Sequence, residues 1–312
     1  MVNKSYFINR GRLLLICEAC PRNCGVDREK SVGFCRMGEL PKAARASLHF
    51  YEEPCISGTR GSGTVFFSGC SLRCRFCQNY SISHGGYGQI ISIERLSEIF
   101  LELQEQGAHN INLVNPTIFY RSIIRSIEKI KHKISIPFVW NSSGYEKAET
   151  IKELEGYIDV YLPDLKYFSP KLSYLYSGAE DYFKYASEAI LEMYRQVGGV
   201  RLNDQGIIEK GLIIRHLILP NSAHDSVKIL KWIHDNIPSD AYISLMSQYT
   251  PIDPVKDFPG LGRRITKKEY DFVVEKFHEL GLKNGYVQGL DSACLKYTPA
   301  FDLSGINKVT GH

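Results

Sequence analysis

The chain has 312 residues, of which 44% are hydrophobic and 23% charged, and its formal net charge is +4 at pH 7. This composition is that of a folded globular protein and excludes a disordered chain, and the mild, dispersed positive charge does not indicate a nucleic-acid partner. The apolar run from Leu13 to Ile16 is too short for a signal peptide or a membrane span, which predicts a cytoplasmic protein with no membrane partner. In a reducing compartment, closely spaced cysteines are typical of metal sites rather than disulfides.

The N-terminal segment, residues 1–63, is predicted to be a small, loop-rich cysteine module. It holds five of the nine cysteines and ends in a Gly/Ser/Thr-rich stretch over 56–64 that is typical of a turn or linker. Four thiolates suit a closed site for zinc or for a second iron–sulfur cluster, and the spacing does not distinguish the two. The candidate ligands are Cys17, Cys20, Cys24 and Cys35, separated by two, three and ten residues.

From residue 64 onward, short runs rich in β-branched and aromatic residues alternate with longer helical patterns, which predicts parallel strands joined by helices. The predicted strands are 64–67, 110–114, 136–140, 158–162, 212–219, 242–246 and 285–290. The predicted helices lie near 92–106, 119–132, 146–156, 182–197, 224–236 and 266–281. Six or seven such units can form an open doubly wound sheet or a full or partial barrel.

Polar residues follow most of these strands at the point where each ends. They are Cys70, 115–117, 141–144, 163–166 and 247–249. A barrel builds its site at the carboxyl ends of all its strands, whereas a doubly wound sheet uses only the loops at its switch point. The pattern therefore favours a barrel over residues 64–290, followed by a tail over 291–312.

Three cysteines, Cys70, Cys74 and Cys77, stand in the loop that follows the first predicted barrel strand. A structural zinc site requires a fourth protein ligand, and the following Gln78 is a poor one. A [4Fe-4S] cubane held by three cysteines instead leaves one iron open to a substrate or cofactor. The number of thiols therefore favours an iron–sulfur cluster.

The pattern Cys70-x-x-x-Cys74-x-Phe76-Cys77, after a strand and before Asn79, resembles the signature of the radical S-adenosylmethionine (SAM) superfamily. The resemblance implies an α/β fold that is a partial (β/α)6 barrel, and a [4Fe-4S] cluster whose open iron binds SAM. It also implies reductive cleavage of SAM to a 5′-deoxyadenosyl radical that abstracts hydrogen, with flavodoxin or ferredoxin as the reductant.

Within that superfamily, residues 17 to 290 resemble the pyruvate formate-lyase activating enzyme-like (PflX-type) family. The motifs that carry this resemblance are CEACPRNCGV (17–26), GFCR (33–36), GSGTVFFSGC (61–70), GAHNINLVNPT (107–117), YLPDLKY (161–167), IRHLILP (214–220) and SLMSQYTP (244–251). The resemblance implies an oxidoreductase of anaerobic metabolism that activates a glycyl radical enzyme by abstracting a backbone glycine hydrogen. Radical modification of a peptide or small molecule, and non-catalytic electron transfer or metal binding, are the alternatives.

The same resemblance implies a set of charged residues around SAM. Lys166 corresponds to the lysine that approaches the SAM carboxylate, and Asp164 to the aspartate that helps to hold a monovalent cation, with a surface salt bridge as the alternative. Arg215 lies in an apolar strand, where a buried guanidinium needs an anionic partner. That partner is either the SAM carboxylate or a structural carboxylate, and the neighbouring His216 is expected to pack against a helix on the other face.

Two further polar segments depart from the activating enzymes. Asn115 and Thr117 stand where those enzymes carry the glutamate that receives the SAM amino group, and their oxygens can accept from an ammonium. Asn141 and Ser142 likewise offer polar atoms near SAM or the cation. Two glutamates in HFYEEP, residues 49–54, lie beside the predicted linker without an assigned role.

Overall fold

The computed structural model describes residues 7–9, 12–14, 16–294 and 297–307, with side chains from residue 16 onward, so parts of the predicted N-terminal module and tail lie outside the described residues. The strands are β1 (Phe7–Asn9), β2 (Arg12–Leu14), β3 (Lys42–His49), β4 (Ser62–Phe67), β5 (Gln89–Ile90), β6 (Ile111–Val114), β7 (Phe138–Ser142), β8 (Val160–Pro163), β9 (Arg201–Leu202), β10 (Ile208–Leu217), β11 (Tyr242–Met246) and β12 (Gly285–Val287). The helices are α1 (Pro54–Ser57), α2 (Tyr80–Ser83), α3 (Ile93–Glu105), α4 (Tyr120–Ile130), α5 (Ala148–Lys152), α6 (Pro170–Ser177), α7 (Tyr182–Val197), α8 (Ala223–Asn236) and α9 (Lys267–Glu279).

The main sheet contains seven parallel strands in the order β12-β11-β10-β8-β7-β6-β4. Consecutive members of this series are joined through α3, α4, α5, α7, α8 and α9, which makes six strand–helix units. The antiparallel strands β3 and β5 extend the sheet beyond β4, and no pairing among the described residues joins β5 to β12. The predicted α/β fold, an open partial (β/α)6 barrel, is therefore confirmed.

Helix α3 illustrates how the outer layer forms. The Ser92 side chain accepts the backbone N–H of Arg95, which caps the first turn. The stripe at Leu96, Ile99 and Phe100 recurs at helical spacing and is buried against the sheet, as its periodicity predicts. Removing these side chains from water supplies about 1.5–3 kcal/mol each, which holds the helix on the barrel.

Strand β3 was not predicted, since residues 1–63 were expected to be rich in loops. It pairs antiparallel with β4 along its length, from Ala43 opposite Phe67 to His49 opposite Ser62. The predicted linker over 56–64 contains the end of α1 and the start of β4, so only residues 58–61 form a turn there. Because β3 ends beside the first residue of β4, the segment that follows it passes the amino end of the parallel strands. The division of the chain at residue 63 stays a prediction.

Candidate active site

A cavity of about 220 Å³ lies at the carboxyl ends of the parallel strands. Its wall includes residues of β3, β4, β6, β7, β10 and β11, together with the segments that follow β4 and β8. Strands of a flat sheet could not surround one cavity in this way, so the sheet curves around it as in a barrel. The strand ends that the sequence marked with polar residues therefore meet in one place.

The three-cysteine loop, residues 70–77, forms one wall of this cavity. Cys70 and Cys74 are buried, Cys77 is partly buried, and all three line the cavity. Phe76 is buried between Cys74 and Cys77, and its ring meets that of Tyr249 edge-on at a centroid distance of 5.8 Å. The aromatic residue of the motif thus anchors the loop while the thiols face the cavity.

Burial, together with the nearby Cys74 thiol, raises the pKa of Cys70 to about 12, and burial also raises the pKa of Cys77. Soft metals bind the thiolate, so at neutral pH these sulfurs require a positive centre that stabilises the ionised form. In the described part of the chain, no three or more His, Cys, Asp or Glu side chains surround one point as the ligands of a single ion do. A cubane does not require this, because each cysteine binds a different iron, and the donor set fits such a cluster.

Asp164 and Lys166 follow β8 directly and line the same cavity as the thiols. The Lys166 Nζ is 2.5 Å from the Asp164 Oδ2, and both side chains line the cavity and are less than a fifth exposed. Burial opposes the charge of Lys166, but Asp164 and the Cys74 and Cys77 sulfurs outweigh it and raise the lysine pKa. The pair therefore belongs to the cavity wall rather than to the surface, and its contact with SAM or a cation stays a prediction.

A close backbone approach fixes the turn that carries Asp164. Gly144, after β7, has a φ of +74°, and a Cβ at this position would overlap the Asp164 carbonyl oxygen. The Tyr182 hydroxyl bridges the two segments, since it lies 2.9 Å from the carbonyl oxygens of Ser143 and Asp164. The glycine in NSSG thus allows the β7 and β8 ends to pack together.

Gly144→Ala is expected to lower the free energy of unfolding by about 2–4 kcal/mol, because it combines left-handed backbone strain with overpacking. Gly156 is the matched control: its φ is +83°, but apart from its two chain neighbours no residue has an atom within 4 Å of the place that an alanine methyl group would occupy. Gly156→Ala should therefore lower the free energy of unfolding only by the backbone strain, about 1–2 kcal/mol. Urea denaturation of both variants measures the difference, and equal losses would contradict the close approach to Asp164.

Arg215 projects from β10 towards two glutamates that the sequence left unassigned. Its Nη1 lies 3.2 Å from the Glu52 Oε2, and its Nε lies 3.3 Å from the Glu53 Oε1. All three side chains are largely buried, and Asn112 and Asn141 each donate an amide hydrogen to the Glu52 Oε1. The structure thus shows structural carboxylates as the partners of Arg215, which is one of the two alternatives that the sequence left open. A contact with the SAM carboxylate stays a prediction.

His216, the next residue, is buried on the outer face of β10. One ring nitrogen, Nδ1, lies 2.7 Å from the Leu165 carbonyl oxygen, and burial lowers the pKa of His216 to about 4. The unfolded chain therefore binds the proton first as the pH falls below about 6.5.

Neutral His216 is expected to contribute its full stabilisation above pH 6.5. As the pH falls from 6.5 to 4, the free energy of unfolding should decrease by about 3 kcal/mol because of this residue. His216→Asn should show a shallower loss of stability over this interval in urea denaturation. Burial also lowers the pKa of His49 to about 4, so His49 should cause part of the pH-dependent loss of stability in both proteins. Identical slopes with and without His216 would contradict the assignment.

The remaining predicted polar residues divide into two groups. Asn115, with a φ of +60°, and Ser142 line the cavity, and the Asn115 amide donates to the Gly69 carbonyl oxygen. Thr117 is buried outside the described cavity wall, where its hydroxyl donates to the Glu146 Oε1 at 2.8 Å. Its predicted contact with the SAM amino group is therefore not favoured by its position.

Glu146 is a buried carboxylate that the sequence analysis did not identify. It accepts hydrogen bonds from Thr117, Ser142 and the Trp140 indole N–H, and burial raises its pKa. These donors tie the end of β7 to the start of the next segment. The signal that could have found it is the glutamate that directly follows the polar run NSSGY at this strand end.

The family profile of the Radical SAM superfamily matches residues 64–246, which is more than half of the chain. The chain belongs to the radical SAM superfamily. Enzymes of this superfamily use a [4Fe-4S] cluster and SAM, and the matched region of this chain contains the three-cysteine loop, Asp164, Lys166 and Arg215.

Two uncharacterized proteins of Methanocaldococcus jannaschii are similar to this radical SAM enzyme. One is 30% identical over 269 residues, which cover 83% of this chain and 73% of the relative. The other is 21% identical over 297 residues, which cover 87% of this chain and 80% of the relative. The likeness to both relatives extends well beyond the region that matches the superfamily.

Solved structures with a related fold include Streptococcus suis SuiB bound to the precursor peptide SuiA, with a TM-score of 0.46 and 14% identity over 72% of this chain and 48% of that chain. They also include anSMEcpe with bound AdoMet, with a TM-score of 0.48 and 13% identity over 71% of this chain and 61% of that chain. This radical SAM enzyme therefore spans less than two thirds of either chain, and the likeness concerns the fold alone. Among its described residues, no helix has the length and apolar character that crossing a membrane requires.

Proposed function

We propose that this chain holds a [4Fe-4S] cluster through Cys70, Cys74 and Cys77, binds SAM in the adjoining cavity, and uses the pair to abstract hydrogen from a polypeptide substrate. When bound, the cluster and SAM supply a 5′-deoxyadenosyl radical by one-electron reduction, with flavodoxin or ferredoxin as the electron donor. The protein contributes binding, orientation and exclusion of water. The observation that carries this proposal is that the three thiols share one cavity with charged groups of both signs.

The charges on the cavity wall suit a zwitterionic ligand. Lys166 and Arg215 are positive, and Asp164 and Glu52 are negative. SAM carries a carboxylate and an ammonium, and Asn115, Asn141 and Ser142, which also line the cavity, would offer polar atoms to its amino-acid end. Asp164 additionally offers a carboxylate to a monovalent cation, which would free Lys166 for the SAM carboxylate.

The position of the cavity supports a polypeptide substrate. Among the described residues no strand pairing closes the barrel between β5 and β12, and on the cavity wall Tyr51 is half exposed and meets Tyr297 edge-on at 5.7 Å. Exposed aromatic rings of this kind are typical of protein contact surfaces. The substrate class that we propose is a glycyl radical enzyme, whose glycine loses its backbone hydrogen, as with the pyruvate formate-lyase activating enzymes that the sequence resembles.

The test begins with anoxically reconstituted protein, SAM and dithionite. We expect 5′-deoxyadenosine and methionine to form only when the reductant is present, and SAM to change the EPR spectrum of the reduced cluster. A protein that neither forms these products nor responds to SAM in its EPR spectrum would be an electron carrier instead, and the proposal would fail.

The substrate is then tested with a candidate glycyl radical enzyme labelled with deuterium at glycine. Transfer of deuterium into 5′-deoxyadenosine, together with a glycine-centred EPR signal in the partner, is the expected result. Cleavage of SAM without transfer from any glycyl radical enzyme encoded beside this chain would leave SAM cleavage established. It would exclude the glycyl radical substrate in favour of another peptide or a small molecule.

A further inference from the structure

The four N-terminal cysteines lie together in space as well as in sequence. Backbone hydrogen bonds fold the segment back on itself: the Gly25 N–H donates to the Cys17 carbonyl oxygen at 3.2 Å, and the Asn23 N–H donates to the Cys20 carbonyl oxygen at 3.1 Å. Gly33 lets the chain pass close to this group, since a Cβ there would be only 2.8 Å from the Cys24 Sγ. A segment that folds four thiols into one neighbourhood without a disulfide is typical of a metal site.

A backbone N–H group points at one of these sulfurs. The N–H of Phe34 donates to the Cys24 Sγ at 3.3 Å. Such donors stabilise the ionised sulfur, which is the form that binds metal. Ordinary buried thiols need no such donors, because a neutral thiol is a weak acceptor.

The segment also has no helix or strand of its own to hold its fold. Residues 17–41 are all described and contain neither helix nor strand, and Val32, Phe34 and Leu40 expose much of their apolar surface. A stretch of this length without secondary structure is uncommon inside a compact domain, and small units that cannot bury enough apolar surface are usually held by disulfides or a metal. Here the cysteines form no disulfide, so of these two devices a metal is the one open to the segment.

This segment is attached directly to the three-cysteine loop. Arg22, which lies between Cys20 and Cys24, donates to the carbonyl oxygens of Ser71 at 2.9 Å and of Ser177 at 2.9 Å. On the other side, the Cys35 carbonyl oxygen lies against Gly69, so close that a Cβ on Gly69 would be 2.9 Å from it. Arg22 and Cys35 therefore contact Ser71 and Gly69, the two residues on either side of Cys70.

We propose that Cys17, Cys20, Cys24 and Cys35 bind a thiolate-only metal centre that holds this segment against the three-cysteine loop and so keeps the loop ready for its own cluster. Zinc and a [4Fe-4S] cubane share this ligand set. The four sulfurs do not surround a single point, so a zinc ion would draw them closer, whereas a cubane binds them on separate irons. The centre is distinct from the cavity, and its test does not depend on SAM cleavage.

The test uses the full chain with Cys70→Ala, Cys74→Ala and Cys77→Ala, purified without oxygen from a medium supplemented with zinc and iron. Elemental analysis is expected to find about one zinc or about four iron per chain, with visible absorption only in the iron case. Adding Cys20→Ser should lower the bound metal about tenfold or more, and adding Cys294→Ser should not. A metal-free triple variant, or metal content that Cys20→Ser leaves unchanged, would overturn the proposal.

A second measurement covers the case in which Cys20→Ser does not fold. The folded triple variant is titrated with a mercurial reagent that blocks thiols, and metal release is followed with a chromophoric chelator while circular dichroism reports the fold. Release should accompany modification of four thiols, counted in protein in which Cys55 and Cys294 have also been replaced, so that only the four proposed ligands remain. Release without thiol modification would place the metal elsewhere and overturn the assignment.

The positioning role is tested with Arg22→Ala, which leaves all seven cysteines of the two sets in place. We expect N-terminal metal to be retained and the affinity of the 70–77 loop for its cluster to fall about tenfold, as for partners that orient metal ligands. Arg22→Lys keeps the charge but not the paired carbonyl contacts, so it should also lower the affinity of the 70–77 loop for its cluster. Unchanged iron retention at the three-cysteine loop in both variants would overturn the positioning role while leaving the metal centre intact.

Discussion

Cys74→Ala is expected to form no measurable 5′-deoxyadenosine, a loss of at least about 100-fold, since even residues that merely orient metal ligands change affinity by about 10–100-fold. Cys74 is buried in the middle of the three-cysteine loop and lines the cavity beside Lys166. Without its sulfur only Cys70 and Cys77 remain, and two cysteines cannot hold three corners of a cubane. Iron content, visible absorption and product formation under dithionite measure the effect.

The matched control is Cys294→Ala, which removes a partly buried thiol that does not line the cavity. It should retain the iron of the native protein and its rate of SAM cleavage. If Cys74→Ala still cleaved SAM at a rate near that of this control, the three-cysteine loop would not be the cluster site, and the proposed function would have to be abandoned.

Arg215→Met is expected to destabilise the fold by about 3–5 kcal/mol, the usual effect of removing one partner from a buried ion pair. The loss has a specific origin, because Glu52 and Glu53 are both buried and share this guanidinium as their counter-charge. Burial already raises the pKa of Glu53, so protonation relieves part of the penalty as the pH falls. The destabilisation should therefore be larger at pH 8 than at pH 5.

Urea denaturation measures this effect, with the midpoint and the slope reported separately. The control combines Arg215→Met with Glu52→Gln and Glu53→Gln, which removes the unpaired charges, and it should recover most of the lost stability because neutral groups of similar volume cost less to bury. If the triple variant were no more stable than Arg215→Met, the loss would come from packing rather than from charge. The triad would then have no electrostatic role in the barrel.

Residues close together in sequence were the part of the site that could be predicted. The three-cysteine loop is specified by spacing alone, and a buried aromatic between its second and third thiols fixes it locally. The parallel sheet was predictable for a similar reason, since hydrophobic periods of strands and helices alternate along the chain. The strand 242–246 and the helix 182–197 have the predicted bounds.

Contacts between distant segments could not be predicted in this way. Strand β3, KAARASLH, has three alanines and no apolar alternation that marks a strand, and it is extended because β4 offers an unpaired edge. Thr117 was expected near the SAM amino group because it stands where the activating enzymes carry a glutamate, and that contact stays a prediction, but its hydroxyl donates to Glu146, 29 residues later. Glu52 meets Arg215 across 163 residues.

The sequence by itself determined the chemistry of the cluster loop and the order of strands and helices, because both depend on residues separated by a few positions. Only the tertiary structure decided which charges meet in the barrel and which polar side chains reach the cavity. The physical reason is that burying a charge or a hydroxyl stabilises the fold only when a partner is brought to it. That partner arrives from whichever segment the packed sheet places alongside.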